Sequence, residues 1–200
     1  MYLIKRRLEK EYGFDAHLFS YRSVHGTLDT NADALADFIA ELHVEGVHVI
    51  GHSLGGVLAL RWLANDPRAI PGSVVCLGSP LTGSRAATFL SEQEWAEEIV
   101  GRSLPSGVIH AAANEWASHV CEERDIGVIA GNVPYGLGRF FARFEADNDG
   151  TVAVSETRLD GARDHLVMAV SHKGLLVSPD VVDQAAAFLK RGEFLRDIDR

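Results

Sequence analysis

The sequence predicts an α/β protein: a three-layer α/β/α sandwich around a mostly parallel sheet. Three observations carry that expectation. Short, largely apolar runs recur at residues 47–50, 74–77, 126–130 and 166–170, the pattern of strands covered on both faces. Segments with helical spacing fall between those runs, which is how parallel strands are joined. A chain of 200 residues, 46% apolar and 24% charged, can bury a core and is too hydrophobic to stay disordered. Residues 1–200 read as one domain.

The elements follow in order. Residues 1–12 set Tyr2, Leu3, Leu8 and Tyr12 among Lys and Arg, a short surface helix closed by Gly13. Residues 15–21 read as a strand. Thr30 or Asn31 caps a helix in which Leu35, Phe38, Ile39 and Leu42 recur at helical spacing. The run 47–50 is a β-branched strand ending at Gly51, and the helix over 54–64 stops before Asp66-Pro67. Residues 74–77 form a buried strand that leads into Gly78-Ser79-Pro80. Residues 84–123 read as a helical, cap-like insertion interrupted at Pro105. Its Phe89, Leu90, Trp95, Ile99, Val100 and Leu104 recur at near-helical spacing and either pack onto the core or line an apolar wall. Two strands and a helix over about 180–190, with Val181, Val182, Ala185, Phe188 and Leu189 on its apolar side, complete the chain.

A net charge of −9 repels nucleic acid and anionic membrane surfaces, so neither is an expected partner. No run approaches the roughly 18 apolar residues of a membrane span, and no basic segment leads into an apolar one at Met1. No stable membrane anchor is expected, and the cytoplasm is the default compartment. Cys76 and Cys121 cannot build a disulfide framework, and Cys76 reads as a buried thiol. No cofactor is called for, and a homo-oligomer stays open.

The chemistry concentrates at Gly51-His52-Ser53-Leu54-Gly55-Gly56, a G-x-S-x-G segment between an expected strand and an expected helix. A serine on such a tight turn projects its hydroxyl from the sheet, and Gly51 and Gly55 remove side chains that would collide. The helix N-terminus then offers the Leu54 N–H to a developing oxyanion. A hydroxyl needs a base, and the base needs an orienting carboxylate. Strand–serine–helix sites of this kind use the order Ser, Asp or Glu, His. Of His110, His119, His165 and His172, the last is favoured because it follows the final strand; His165 is the alternative. Asp149, in Asp147-Asn148-Asp149-Gly150, is favoured as the acid over Asp147. Residues 145–156 also sit one substitution from an EF-hand loop. However, Glu145 replaces the usual first Asp, and 157–163 lacks the stripe of a departing helix, so no metal is expected.

These segments, with L-G-S-P-L-T-G-S at 77–84, D-G-T-V at 149–152 and S-H-K-G-L-L at 171–176, resemble bacterial α/β-hydrolase lipases and esterases, including small lidless lipases and lipid deacylases. The resemblance spans nearly the whole chain and implies a triad of Ser53, Asp149 and His172 acting on a small-molecule or lipid ester. It also implies a strand and His-Gly loop, ahead of the helix at 1–12, that donate a second oxyanion N–H. Residues 24–26, Val-His-Gly, follow the wrong strand for that role and read as a turn. Loss of one oxyanion donor costs about 100- to 1000-fold in rate. Met1 therefore reads as an internal methionine of a longer chain, with an N-terminally short, crippled hydrolase as the alternative. An acyltransferase with the same triad, a non-catalytic homologue and a calcium-binding module are the competing functions.

Overall fold

Four strands run parallel in the order β1-β2-β3-β4 in this computed structural model, which describes residues 1–21, 26–65, 72–82, 113, 117, 119–135 and 147–196. Helices α1 (Tyr2–Tyr12) and α2 (Leu28–Glu41) precede β1 (Val49–His52), and α3 (Leu54–Asn65) leads to β2 (Val74–Leu77). The short α4 (Val120–Glu123) precedes β3 (Ile126–Gly131). A 3-10 turn (Val154–Thr157), β4 (Asp164–Met168), a second 3-10 turn (Gly174–Leu176) and α5 (Pro179–Arg191) follow. The register pairs Gly51 with Cys76, Cys76 with Val128, and Ile129 with Leu166.

Alternation along the strands divides the core into two layers. Val74 and Cys76 of β2 and Ile126 and Val128 of β3 pack with Leu35, Ile39, Leu58 and Trp62 of α2 and α3. Val75, Leu77 and Ile129 face the other way, onto Ile4 and Leu8 of α1 and Val181, Ala185 and Phe188 of α5. Every residue of β2 and β3 is buried, which is why those strands read as unbroken apolar runs.

Several boundaries differ from the sequence reading. Residues 15–21 form no strand: among the described residues they have no ladder partner. Instead Lys5 Nζ bonds the Ala16 carbonyl, and Phe19 packs against Tyr21 and Phe38. The α2 cap is Thr27 rather than Thr30 or Asn31, its Oγ1 accepting the Thr30 N–H at 3.2 Å. Strand β1 starts two residues late and β4 two residues early, because pairing with β2 and β3 sets their ends. The expected cap over 84–123 lies almost wholly outside the described residues. Of that stretch, Ala113, Ala117 and Val120 are buried against α3 and β3 in the shared core.

Candidate active site

Parallel strands end on the same side of a sheet, and their exit loops meet there, the usual position of a ligand crevice in open α/β sheets. Here the exits are Ser53 after β1, residues 78–82 after β2, the Asp149 loop after β3 and the His172 loop after β4.

Ser53 stands between β1 and α3 with φ 55°, a left-handed conformation that costs a non-glycine residue on the order of 1–3 kcal/mol. Two backbone bonds hold it there: its N–H donates to the Leu77 carbonyl at 2.9 Å, and its carbonyl accepts the Gly56 N–H at 3.1 Å. Leu54 opens α3, so helix geometry leaves its N–H without an intrahelical acceptor. Gly51 is required because a Cβ there would lie 2.4 Å from the Gly55 carbonyl oxygen. The expected collision at Gly55 is absent, since nothing lies within 4 Å of a Cβ built on it. Gly56 takes that part, its Cβ position lying 2.1 Å from Ser79 Oγ. The turn brings the helix against the β2 exit one residue later than the motif suggests.

Asp149 and His172 come together. Asp149 Oδ2 lies 2.7 Å from His172 Nδ1, with the two side chains 1% and 12% exposed. The other carboxylate oxygen accepts the N–H groups of Thr151 and Val152 at 2.9 and 2.8 Å. The Asp149 carbonyl accepts the His172 N–H at 2.9 Å. D-G-T-V thus folds back onto its own carboxylate, and the aspartate grips the histidine twice. The alternatives sit elsewhere. The Asp147 side chain is exposed, and its carbonyl accepts the Val154 N–H. His165 lies within β4, bonded to Thr157 Oγ1 at 2.9 Å. His119 is exposed, and His110 falls outside the described residues.

His52, noted in the sequence only as part of the motif, is the third arm of this arrangement. Its Nε2 lies 2.9 Å from the His172 carbonyl, and the two imidazole centroids are 4.5 Å apart. Burial, with the nearby His172 adding to it, pushes its pKa down to about 4, so the ring is neutral at physiological pH. Burial, then Arg158, lowers His165 likewise to about 4.

Two further supports escaped the sequence reading. Gly78, at φ 56°, lets Asp149 and His172 crowd the β2 exit: a Cβ there would lie 3.0 Å from Asp149 Oδ2 and 3.2 Å from His172 Nδ1. Buried Glu156 accepts the Ala153 N–H at 2.8 Å, while its carbonyl accepts those of Leu81 and Thr82. A Glu three residues after the start of a turn is a recognisable capping signal, here masked by the EF-hand reading. The loop leaves through a 3-10 turn, and among the described residues no three His, Cys, Asp or Glu side chains group to hold a metal ion.

Comparison with known proteins agrees with this architecture. The mature form of the Bacillus licheniformis lipase BlEst2 superposes over 84% of this chain and 75% of its own, with a TM-score of 0.68 at 18% identity. The Exiguobacterium antarcticum esterase EaEST does so over 82% and 74%, with a TM-score of 0.58 at 12% identity. In sequence, 59 residues are 36% identical to a Yersinia enterocolitica protein named "Putative carbamate hydrolase RutD". That stretch spans 30% of this chain and 21% of the relative's length. The profile of the Alpha/beta hydrolase family matches residues 5–195; with a parallel sheet clothed by helices on both faces, the chain belongs to that family.

Proposed function

We propose that this chain is a serine hydrolase of carboxylic esters, with Ser53 as nucleophile, His172 as base and Asp149 as the group that orients the base. The buried Asp149–His172 pair at 2.7 Å carries the reading, because a carboxylate holding imidazole Nδ1 leaves Nε2 to take a proton from a hydroxyl. The strained backbone at Ser53 supports it, as does the Leu54 N–H at the start of α3. Ser53 Oγ attacks the ester carbonyl while His172 takes its proton. The oxyanion is met by the Leu54 N–H, and the alcohol leaves with the proton returned by His172. Water, deprotonated by His172, attacks the acyl carbonyl; the bond to Ser53 Oγ breaks, the acid leaves, and His172 returns the proton to Ser53. The likeness to a lipase and an esterase adds only that the scaffold is one on which ester hydrolysis occurs.

The test is hydrolysis of short- and long-chain p-nitrophenyl esters, with a p-nitrophenyl carbamate alongside. Ser53→Ala is expected to lose about 10⁶-fold in kcat, and Asp149→Asn about 10⁴-fold. A Ser53→Ala variant within about tenfold of wild-type turnover, or a carbamate cleaved in preference to every ester, overturns the reading.

A further inference from the structure

The sheet order sets a problem that the sequence does not reveal. Ser53 leaves β1 and His172 follows β4, at opposite ends of the described order β1-β2-β3-β4. Three strand spacings, about 14 Å, separate the two exits. The His172 loop must therefore fold back across the strand ends. Its path is legible in close approaches: a Cβ on Gly131, at the end of β3, would lie 2.4 Å from the Val170 carbonyl oxygen. Farther across, the Gly78 Cβ position beyond β2 lies 3.2 Å from His172 Nδ1.

A loop bent so far from its own strand is only as well placed as its anchors. Asp149 supplies two of them from the β3 side, on the His172 N–H and on Nδ1. The remaining backbone group of His172, its carbonyl, meets His52 Nε2 at 2.9 Å. A carbonyl only accepts, so Nε2 carries the hydrogen and donates. His52 is also the residue immediately before Ser53, so this bond joins the serine's own strand to the histidine loop.

We propose that His52 is a positioning residue: its Nε2–H, donated to the His172 carbonyl, holds the loop across the sheet and sets the spacing between the His172 imidazole and Ser53. This rests on the reading of Ser53 and His172 as nucleophile and base. Ring packing at 4.5 Å fixes the tilt, but packing alone does not set the depth at which the loop sits. The hydrogen bond does, and misplacement by about 1 Å at a reacting pair costs on the order of 100-fold in rate.

The experiment compares His52→Phe, which keeps a ring and removes the donor, with His52→Gln, whose Nε2 lies close to the imidazole Nε2 position. His52→Asn, with its amide too short to reach, replaces the Phe variant should that one fail to fold. Each is followed by kcat and KM on a p-nitrophenyl ester and by the imidazole ¹⁵N shifts of His172, which report its tautomer. Expected is a fall of about 10- to 100-fold in kcat for Phe or Asn with KM nearly unchanged, and recovery to within a few-fold in Gln. The ¹⁵N shifts should show a single Nδ1–H tautomer in wild type and Gln, and a mixture in Phe or Asn. Equal loss in Gln and Phe, or wild-type kinetics and tautomer in Phe, overturns the proposal. If the wild-type chain turns over no ester, the proposed function falls, and the ¹⁵N shifts alone decide whether His52 positions the loop.

Discussion

At Gly78, three groups converge on the space a side chain would need: Leu175 Cδ1 at 2.6 Å, Asp149 Oδ2 at 3.0 Å and His172 Nδ1 at 3.2 Å from an added Cβ. Its φ of 56° is itself unfavourable for any other residue. Gly78→Ala should therefore cost about 1–3 kcal/mol, a fall in Tm of roughly 2–4 °C per kcal/mol in a chain of this size. Gly55→Ala is the contrasting case, because a Cβ there meets nothing within 4 Å, and a helical Gly→Ala gains up to about 1 kcal/mol. Thermal unfolding of the two variants gives shifts of opposite sign; a Tm for Gly78→Ala equal to wild type would contradict the packing described.

Among the elements, α2 owes its start to a single side chain. Thr27 Oγ1 accepts the Thr30 N–H at 3.2 Å and also meets Thr30 Oγ1 at 3.1 Å. Thr27→Ala removes an N-cap worth about 1 kcal/mol, whereas Thr27→Ser retains it. Urea unfolding should give an unchanged m-value and a lower midpoint for Ala alone. A Ser variant as unstable as Ala would assign the cost to the lost methyl group instead. The same element shows why helix boundaries shift from their sequence reading. Thr27, Thr30 and Asn31 are all capable caps, and the chain begins the helix where Leu28 reaches the core, 6% exposed.

For the molecule as a whole, buried histidines tie stability to pH. His52 and His165 are pushed down to about 4, chiefly by burial, and His48 is lowered by the same cause. Between the ordinary histidine value of 6.5 and about 4, the unfolded chain binds protons that the folded chain refuses. Stability then rises with pH through that window: it is fully present above about 6.5, declines as pH falls, and levels off below about 4. His165→Gln keeps a partner for Thr157 Oγ1 and removes one titrating ring. Its Tm should fall less steeply than that of wild type between pH 7 and pH 5. A slope identical to wild type would show that His165 titrates alike in both states.

The sequence by itself determined the layered α/β class and the covered strands, and it singled out the residues proposed here to carry the chemistry. Those features lie in local pattern: β2 is apolar throughout because both its faces are buried, and Ser53 sits where strand meets helix. It singled out Asp149 and His172, which the structure brings within one hydrogen bond across 23 positions. Tertiary structure alone decided whether a segment would pair. Residues 15–21 carry strand-like composition, yet a strand exists only where a neighbour supplies its hydrogen bonds. Only the fold shows that Gly56 rather than Gly55 is the crowded glycine, or that Gly78 leaves room for two side chains from distant loops. The part of His52 is likewise invisible in its motif, because its hydrogen-bond partner lies 120 positions away and comes near only because the loop after β4 folds back across the strand ends.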